Sequence, residues 1–466
     1  VGRVAAMASA YNALGAELTA TERGWFESYF TALLNDSPDT WGWWQNPGSN
    51  TVAVAAGTAG LAGLVMKHAL YGLAAYAIEW SVNLLKSSYI GSGIMPDGGN
   101  PEGSLYWDFG FGYYLYFAKA LEQATGSHEG LLAPAALLNM RNYVEFLLAG
   151  DKVTGMQTFG DTQPFLTGFA ISAELGTRFN DGLYRWLADE MAARVNADAD
   201  GLVNSYYRNH LDVRDPFVAM GFLWRDAVAA PASFPTIATK VVLSDNTQGA
   251  TIRTDGSDFY PDMVVSAIGG HAYGHHKQYD KGSFVVQANE EAYLIDPGYY
   301  QGYASDGDQT VHSIPLIDGQ GVSDGNAPTA TITASFEDSA AGYRGFVMDT
   351  TAAYLNGAAT RAKRTFVMTQ QGLEGEALIL LDDIVASGAG VVTAQYQAGF
   401  AATGIDGGRG AIINGNNGRL LLRTFGPTAN LSVTGPKDFE SSWYFDRLGV
   451  QWHQVRGNYT ADVNMP

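Results

Sequence analysis

The chain has 466 residues, of which 46% are hydrophobic and 16% charged, with no cysteine and a net charge of −20. That length exceeds one ordinary core and predicts two or three packed domains, not a disordered chain. The acid excess without a basic run argues against nucleic acid, the lack of cysteine excludes disulfides and thiolate metal sites, and no apolar run is long enough to span a bilayer.

The first half of the chain reads as helical. Segments 5–18 and 21–34 are amphipathic, with Thr21 as the expected N-cap of the second and Glu22 in its first turn. Further helices are expected at 51–66, 70–89, 113–125, 133–148, 163–175 and 181–195. Loops rich in Gly, Pro, Asp and Asn separate them at 46–50, 94–104, 159–161 and 197–204. Successive helices joined by such loops fit a helical barrel or toroid with function on the loop face.

The composition changes near 227–239. Short alternating or apolar runs follow at 240–243, 250–254, 259–267, 282–287, 292–295, 311–317, 365–369, 377–381, 390–396 and 420–424. Their spacing favours a sandwich of antiparallel sheets. The expected fold class is α+β and multidomain, with a helical domain over 1–235 and an antiparallel β-sandwich domain over 236–466.

Three stretches carry candidate chemistry. The first, WGWWQNPGSN at 41–50, offers Asn50 as a helix cap or as an amide at a cleft, with Trp43 and Trp44 as stacking platforms for sugar rings. The second, PDGGNPEGSLYWDF at 96–109, places Tyr106 on what reads as a turn-rich loop. The third runs from Gly269 to Gly321 and holds four of the eight histidines: His271, His275, His276 and His312. Imidazole moves protons near neutral pH or binds metal, so such a cluster on strands and their connections points to a site, against the plainer reading of exposed polar loops.

These residues resemble a known group. EGSLYW at 102–107, FGDTQP at 159–164 and AMGFLW at 219–224 look like the heparinase II/III-like polysaccharide lyases. The ordered triplet HHKQYDKGSF, LIDPGYY and VHSIPLIDGQG is similar to that family's H-x-H-x-D-x-x-S-F motif, D-P-G turn and A-H-N-x-x-x-x-D-G element. The resemblance implies an incomplete (α/α) toroid, an antiparallel β-sandwich and β-elimination of a uronic-acid polysaccharide.

In that chemistry the proton at C5 of a uronate is removed and the C4 oxygen is expelled. A donor on the neighbouring carboxylate lets negative charge accumulate in an enolate-like transition state, and the resemblance gives this role to Asn50. It gives Tyr106 the proton transfer, with Phe109 competing for the same slot, and His276 the part of base or carboxylate partner. A phenol with a pKa of about 10 is a poor base unless cations favour the phenolate. Glu102, Tyr300 and Tyr303 are expected near the substrate.

Two departures from the family pattern bear on the site. Thr51 stands where many relatives have a histidine after the asparagine, and Gln278 replaces the second histidine of H-x-H. In metal-containing relatives that histidine joins an aspartate and a later histidine, here Asp296 and His312. Gln278 supplies only a weak carbonyl ligand, although His275 or His276 could substitute for it. A structural divalent ion, zinc or calcium, is therefore one expectation. The other is a direct Asp296–His312 hydrogen bond joining two loops, and no cofactor is required for the chemistry.

Two rival readings remain at the sequence level. A glycoside hydrolase needs two opposed carboxylates, for which Asp97, Glu102 and Asp161 are available. A non-catalytic glycan-binding protein would use the aromatic surfaces alone. The helical half has few cations (Lys67, Lys86, Arg141, Lys152, Arg178, Arg208 and Arg214 are the main ones), which favours a non-sulfated uronate polymer such as alginate, hyaluronan or a bacterial exopolysaccharide. A secreted or periplasmic bacterial location is expected. The chain shows no charged-then-apolar leader, so an export signal is expected to be absent or already removed.

Overall fold

The structure is a computed structural model that describes residues 2–35, 46–152, 155–160, 162, 166–197, 217–225, 231–245, 247–270, 276, 278–296, 298, 309–323, 330–370, 376–425, 430–435 and 453–461. The chain divides into two compact units. One takes Val1–Arg141 and Thr167–Pro235, and the other takes Asn142–Leu166, Thr236–Ala272 and His276–Pro466.

The first unit is built from helices: α1 (Gly2–Leu14), α2 (Ala20–Asn35), α3 (Asn50–Met66), α4 (Tyr71–Leu84), α5 (Gly103–Thr125), α6 (Ala135–Leu147, from Asn142 onward in the second unit), α7 (Phe169–Phe179), α8 (Gly182–Ala197) and α9 (Phe217–Trp224). The cap of α2 is Thr19, not Thr21. The Thr19 N–H donates to Glu22 Oε2 at 2.8 Å and the Glu22 N–H donates back to Thr19 Oγ1 at 3.3 Å, a reciprocal box that settles where the helix starts. Likewise Ser49, in extended conformation, caps α3, and Asn50 is already its first helical residue.

Helix α3 is buried on nearly every side, so it has no polar face and acts as the axis of the unit. Its glycines let α5 approach. A Cβ at Gly57 would sit 2.8 Å from the Tyr113 carbonyl oxygen, and on α5 a Cβ at Gly110 would sit 2.8 Å from Asn50 Cβ. Helix α5 begins ten residues before its expected start, which moves Tyr106 from a loop onto the helix's first turn. The Gly and Pro residues of 96–103 belong to the entry into α5, not to a longer loop.

In the second unit every strand pair is antiparallel. A nine-stranded sheet has the order β1 (Lys240–Leu243), β2 (Gly249–Arg253), β3 (Met263–Ile268), β4 (Phe284–Ala288), β5 (Glu291–Leu294), β11 (Gly390–Ala398), β16 (His453–Ala461), β15 (Asn430–Thr434), with β6 (Leu316–Ile317) on β11. A second sheet runs β10 (Ala377–Ala386), β9 (Ala359–Thr369), β8 (Tyr343–Asp349), β7 (Thr331–Asp338), and a third β12 (Ala402–Ile405), β13 (Gly410–Asn414), β14 (Arg419–Arg423). The first two share an apolar core. Phe284 of β4 meets Phe366 of β9 at 5.4 Å between ring centroids, and Phe346 of β8 stacks on Phe366 at 4.7 Å.

The segment Asn142–Leu166 falls inside the span expected to be purely helical but packs with the strands. The Gln157 side chain donates to Thr251 Oγ1 at 3.0 Å, and the Ala238 N–H donates to Glu145 Oε2 at 3.1 Å. The strand expected at 311–317 is reduced to Leu316–Ile317, because residues 309–313 are held by side chains instead of a ladder. Among the described residues no helix is long and apolar enough to cross a membrane.

Candidate active site

In the helical unit the site is built at the start of α3. Asn50 is 4% exposed, and its side-chain Nδ2 donates to Glu102 Oε2 at 3.0 Å. The same oxygen accepts the Asn50 backbone N–H, one of the donors that a helix start leaves without an intrahelical partner. Glu102 is 1% exposed. It is the N-cap residue of α5 but gives its own helix no side-chain cap bond. Asn100 fixes it in place: Asn100 Oδ1 accepts from the Glu102 N–H at 2.9 Å while Asn100 Nδ2 donates to the Gly93 carbonyl at 2.8 Å.

Glu102, Tyr106 and Gly110 are spaced four residues apart and so share one face of α5. The outer two both touch Asn50, Glu102 by hydrogen bond and Gly110 by close approach. Tyr106, half-buried, lies on the stripe between them. Its neighbour Trp107 is structural: it is buried, donates toward Met140 Sδ at 3.3 Å and packs over Gly168. Phe109, the competitor for the tyrosine slot, packs edge-on against Tyr113. Tyr106 therefore stands on the stripe of α5 whose two ends meet Asn50, with a carboxylate buried against the amide.

In the strand unit His276 is half-buried and adopts φ +63°, a left-handed conformation uncommon outside glycine. Its carbonyl oxygen lies 3.7 Å from where a Cβ on Gly160 would stand. Gly160 in turn donates its N–H to Asp280 Oδ2 at 2.9 Å. Burial pushes the Asp280 carboxyl up to about 6, with His312 opposing the rise and Asp296 adding to it.

Asp296 and His312, both fully buried, pair directly through Oδ2 and Nδ1 at 2.9 Å. Ser283 Oγ donates to the same Asp296 oxygen at 2.9 Å and accepts the Ser313 N–H at 3.1 Å. Buried glutamines on β11 and β16 hold the backbone that carries His312. Gln395 and Gln397 donate to the His312 carbonyl at 2.9 and 3.1 Å, and Gln454 donates to the Thr310 carbonyl at 2.6 Å. Arg364 of β9 closes the arrangement by donating to the Gly282 and Ser313 carbonyls, both at 2.7 Å.

The expected metal set was Asp296, His312 and Gln278. Gln278 is buried and donates Nε2 to the Gly298 carbonyl at 3.0 Å. Among the described residues no group of three His, Asp or Glu side chains is placed to hold an ion. Two donors and a neutral amide do not fit zinc, and no step below is routed through a metal.

Trp43, Trp44, Tyr300, Tyr303, Asp161, His271 and His275 lie outside the described residues. Sequence reasoning missed Asp280 and Ser283, although both stand in the D-x-x-S-F motif it had singled out. It also missed the Gln395, Gln397 and Gln454 amides, for which alternating strand residues give no signal.

Residues 262–457 match the family model described as heparinase II/III-like, C-terminal. No curated protein matches the sequence. Similar solved structures include the heparan sulfate lyase HepC from Pedobacter heparinus, with a TM-score of 0.59 and 12% identity over 88% of this chain and 57% of that one. Another is a heparinase III gene product, with a TM-score of 0.58 and 14% identity over 88% of this chain and 57% of that one. The chain thus spans under two thirds of the length of these structures. The likeness to these structures is one of fold, helices followed by antiparallel sheets, and the stretch similar to the heparinase II/III-like, C-terminal model carries the D-x-x-S-F, D-P-G and V-H-S elements described above.

Proposed function

We propose that the protein is a polysaccharide lyase that cleaves an acidic, uronate-containing polysaccharide by β-elimination. The observation that carries this reading is the placement of Tyr106 on α5 between Glu102 and Gly110, the two residues that grip Asn50. A hydrogen-bond donor and a half-exposed phenol then share one small region. That is what a reaction requires when it must stabilise a carboxylate and move a proton beside it. In the proposed step the Asn50 amide donates to the uronate carboxylate. A base, for which Tyr106 and His276 are alternative candidates, takes the C5 proton. The electron pair forms the C4–C5 double bond, and the departing C4 oxygen takes up a proton from the protonated base or from solvent. The finer architecture of this reading is an incomplete (α/α) toroid followed by a β-sandwich.

The substrate class proposed is a non-sulfated uronate polymer. Among the described cations of the helical half, Arg141 is paired with Asp181 at 2.6 Å and Arg178 with Glu122 and Glu174 at 2.7 and 2.9 Å, so these charges are already engaged. A secreted or periplasmic location suits such a substrate. Hydrolysis is less well served. Asp97 Oδ1 accepts the Gly99 N–H at 2.9 Å as a turn residue, and Glu102 is buried beneath Asn50.

The test is ultraviolet absorbance of the conjugated alkene on a panel of uronate polymers, with and without a chelator. A rising signal on one polymer, unchanged by the chelator, is the expected result. New reducing ends without alkene would mean hydrolysis. In the same assay Tyr106→Phe is expected to lower kcat by about 10²–10⁴-fold while binding of the polymer persists. A variant with ordinary turnover would remove Tyr106 from the chemistry.

A further inference from the structure

We infer that Glu102 is a positioning residue that fixes the orientation of the Asn50 amide, and that it does not contact substrate. The inference rests on the lyase reading for its catalytic consequence, and on geometry alone for the contact itself. Glu102 is 1% exposed and its Oε2 is already taken up by Asn50, which places it to act through Asn50 and not on a polymer. One oxygen, Oε2, takes both the backbone N–H and the side-chain Nδ2 of Asn50. Because Oε2 already accepts the Asn50 backbone N–H, it stands as an acceptor beside the amide, which selects the NH₂ end and turns Oδ1 away. A flip would set Oδ1 against Oε2, two acceptors face to face with a buried hydrogen bond lost, and is disfavoured on that account.

The remaining Nδ2 proton diverges from the one Glu102 holds, and it is the one left for a uronate carboxylate. The other side of Asn50 is closed by Gly110, whose missing Cβ leaves room for Asn50 Cβ. The carboxylate cannot retreat, because Asn100 ties the Glu102 backbone to Gly93. An asparagine on an exposed loop would have to be oriented anew with each substrate. Here the orientation is set before substrate arrives, which is where a preorganised donor gains its advantage.

Two variants test the inference. Glu102→Gln can keep a carbonyl oxygen where Oε2 stands, whereas Glu102→Leu removes the acceptor and keeps the bulk. In the full chain, Glu102→Leu is expected to lower kcat about 10²-fold with little change in KM, the size of losing one preorganised donor. Glu102→Gln should recover at least a tenfold part of that loss. The double variant Asn50→Ala/Glu102→Leu should be no slower than Asn50→Ala alone, because both remove the same interaction. Losses that multiply would overturn the inference.

A second readout does not depend on activity. With ¹⁵N-asparagine labelling, and Asn50→Ala to assign the signal, one Asn50 side-chain proton should be exchange-protected in the native chain and in Glu102→Gln, and unprotected in Glu102→Leu. An Asn50 amide that exchanges freely in the native chain would overturn the inference whatever the polymer assay gives. Failure of every polymer to yield alkene, with the protected proton present, would overturn the lyase reading and leave the contact standing.

Discussion

The buried pair of Asp296 and His312 decides how the strand unit carries its loops. Each side chain is fully buried, and the partners of Asp296 Oδ2 are His312 Nδ1 and Ser283 Oγ. Removing one member leaves the other's hydrogen-bonding group unpaired in a low-dielectric interior, which costs about 1–3 kcal/mol. His312→Ala is therefore expected to lower the urea midpoint by an amount of that order, with the slope of the transition unchanged. A change below about 1 kcal/mol would be the size of a surface pair and would mean that the Gln395, Gln397 and Arg364 contacts hold these loops without the histidine. The left-handed His276 sits at the other end of the same segment, in a backbone conformation that costs local stability.

At the scale of elements, the site depends on how closely α3 and α5 approach. A glycine inside a helix costs roughly 1 kcal/mol relative to alanine, so Gly110 calls for a local reason, and Asn50 Cβ, 2.8 Å from where a Cβ on Gly110 would stand, supplies one. Gly110→Ala is expected to overpack this contact by about 1–3 kcal/mol and, by moving Asn50, to reduce alkene formation more than it reduces melting temperature in proportion. A variant with native turnover would show that the approach is not needed for the chemistry. Nearby, Arg178 of α7 binds Glu122 of α5 and the buried Glu174. Its hydrogen bond holds the Glu122 carboxyl below the usual carboxylate range. A depressed acid contributes stability above its unfolded pKa and loses it as pH falls through the folded value. Arg178→Met should therefore flatten the acid limb of the stability–pH curve below about pH 5, followed by urea titration at successive pH values. These elements also show what could be read in advance. The helix at 51–66 was legible because an unbroken apolar run can only be buried. The first turn of α5 was not, because Gly and Pro at its entry imitate a loop. Strands β7 and β8 were missed in part because β7 is largely exposed and carries little apolar alternation. Asn50 and Tyr106 were singled out through motif resemblance. The Glu102–Asn50 contact could not be, since it joins residues 52 apart in the chain.

For the molecule as a whole, the net charge of −20 sets how a polyanion approaches. Long-range repulsion acts over the Debye length, about 30 Å at 0.01 M salt and about 10 Å at 0.1 M. A basic protein loses affinity for a polyanion as salt rises, because the attraction that it depends on is screened. Here the sign reverses: screening removes a penalty, and the short-range donors of the site are affected much less. The KM for a uronate polymer is therefore expected to fall several-fold between about 0.01 and 0.1 M salt, with kcat nearly constant. Steady-state alkene formation at matched pH, using a monovalent salt, measures this directly. A KM that climbs steadily with salt would mean that a local cationic track outweighs the global field. The proposal of a non-sulfated substrate would then lose its electrostatic basis, because the same track would serve sulfate groups equally well.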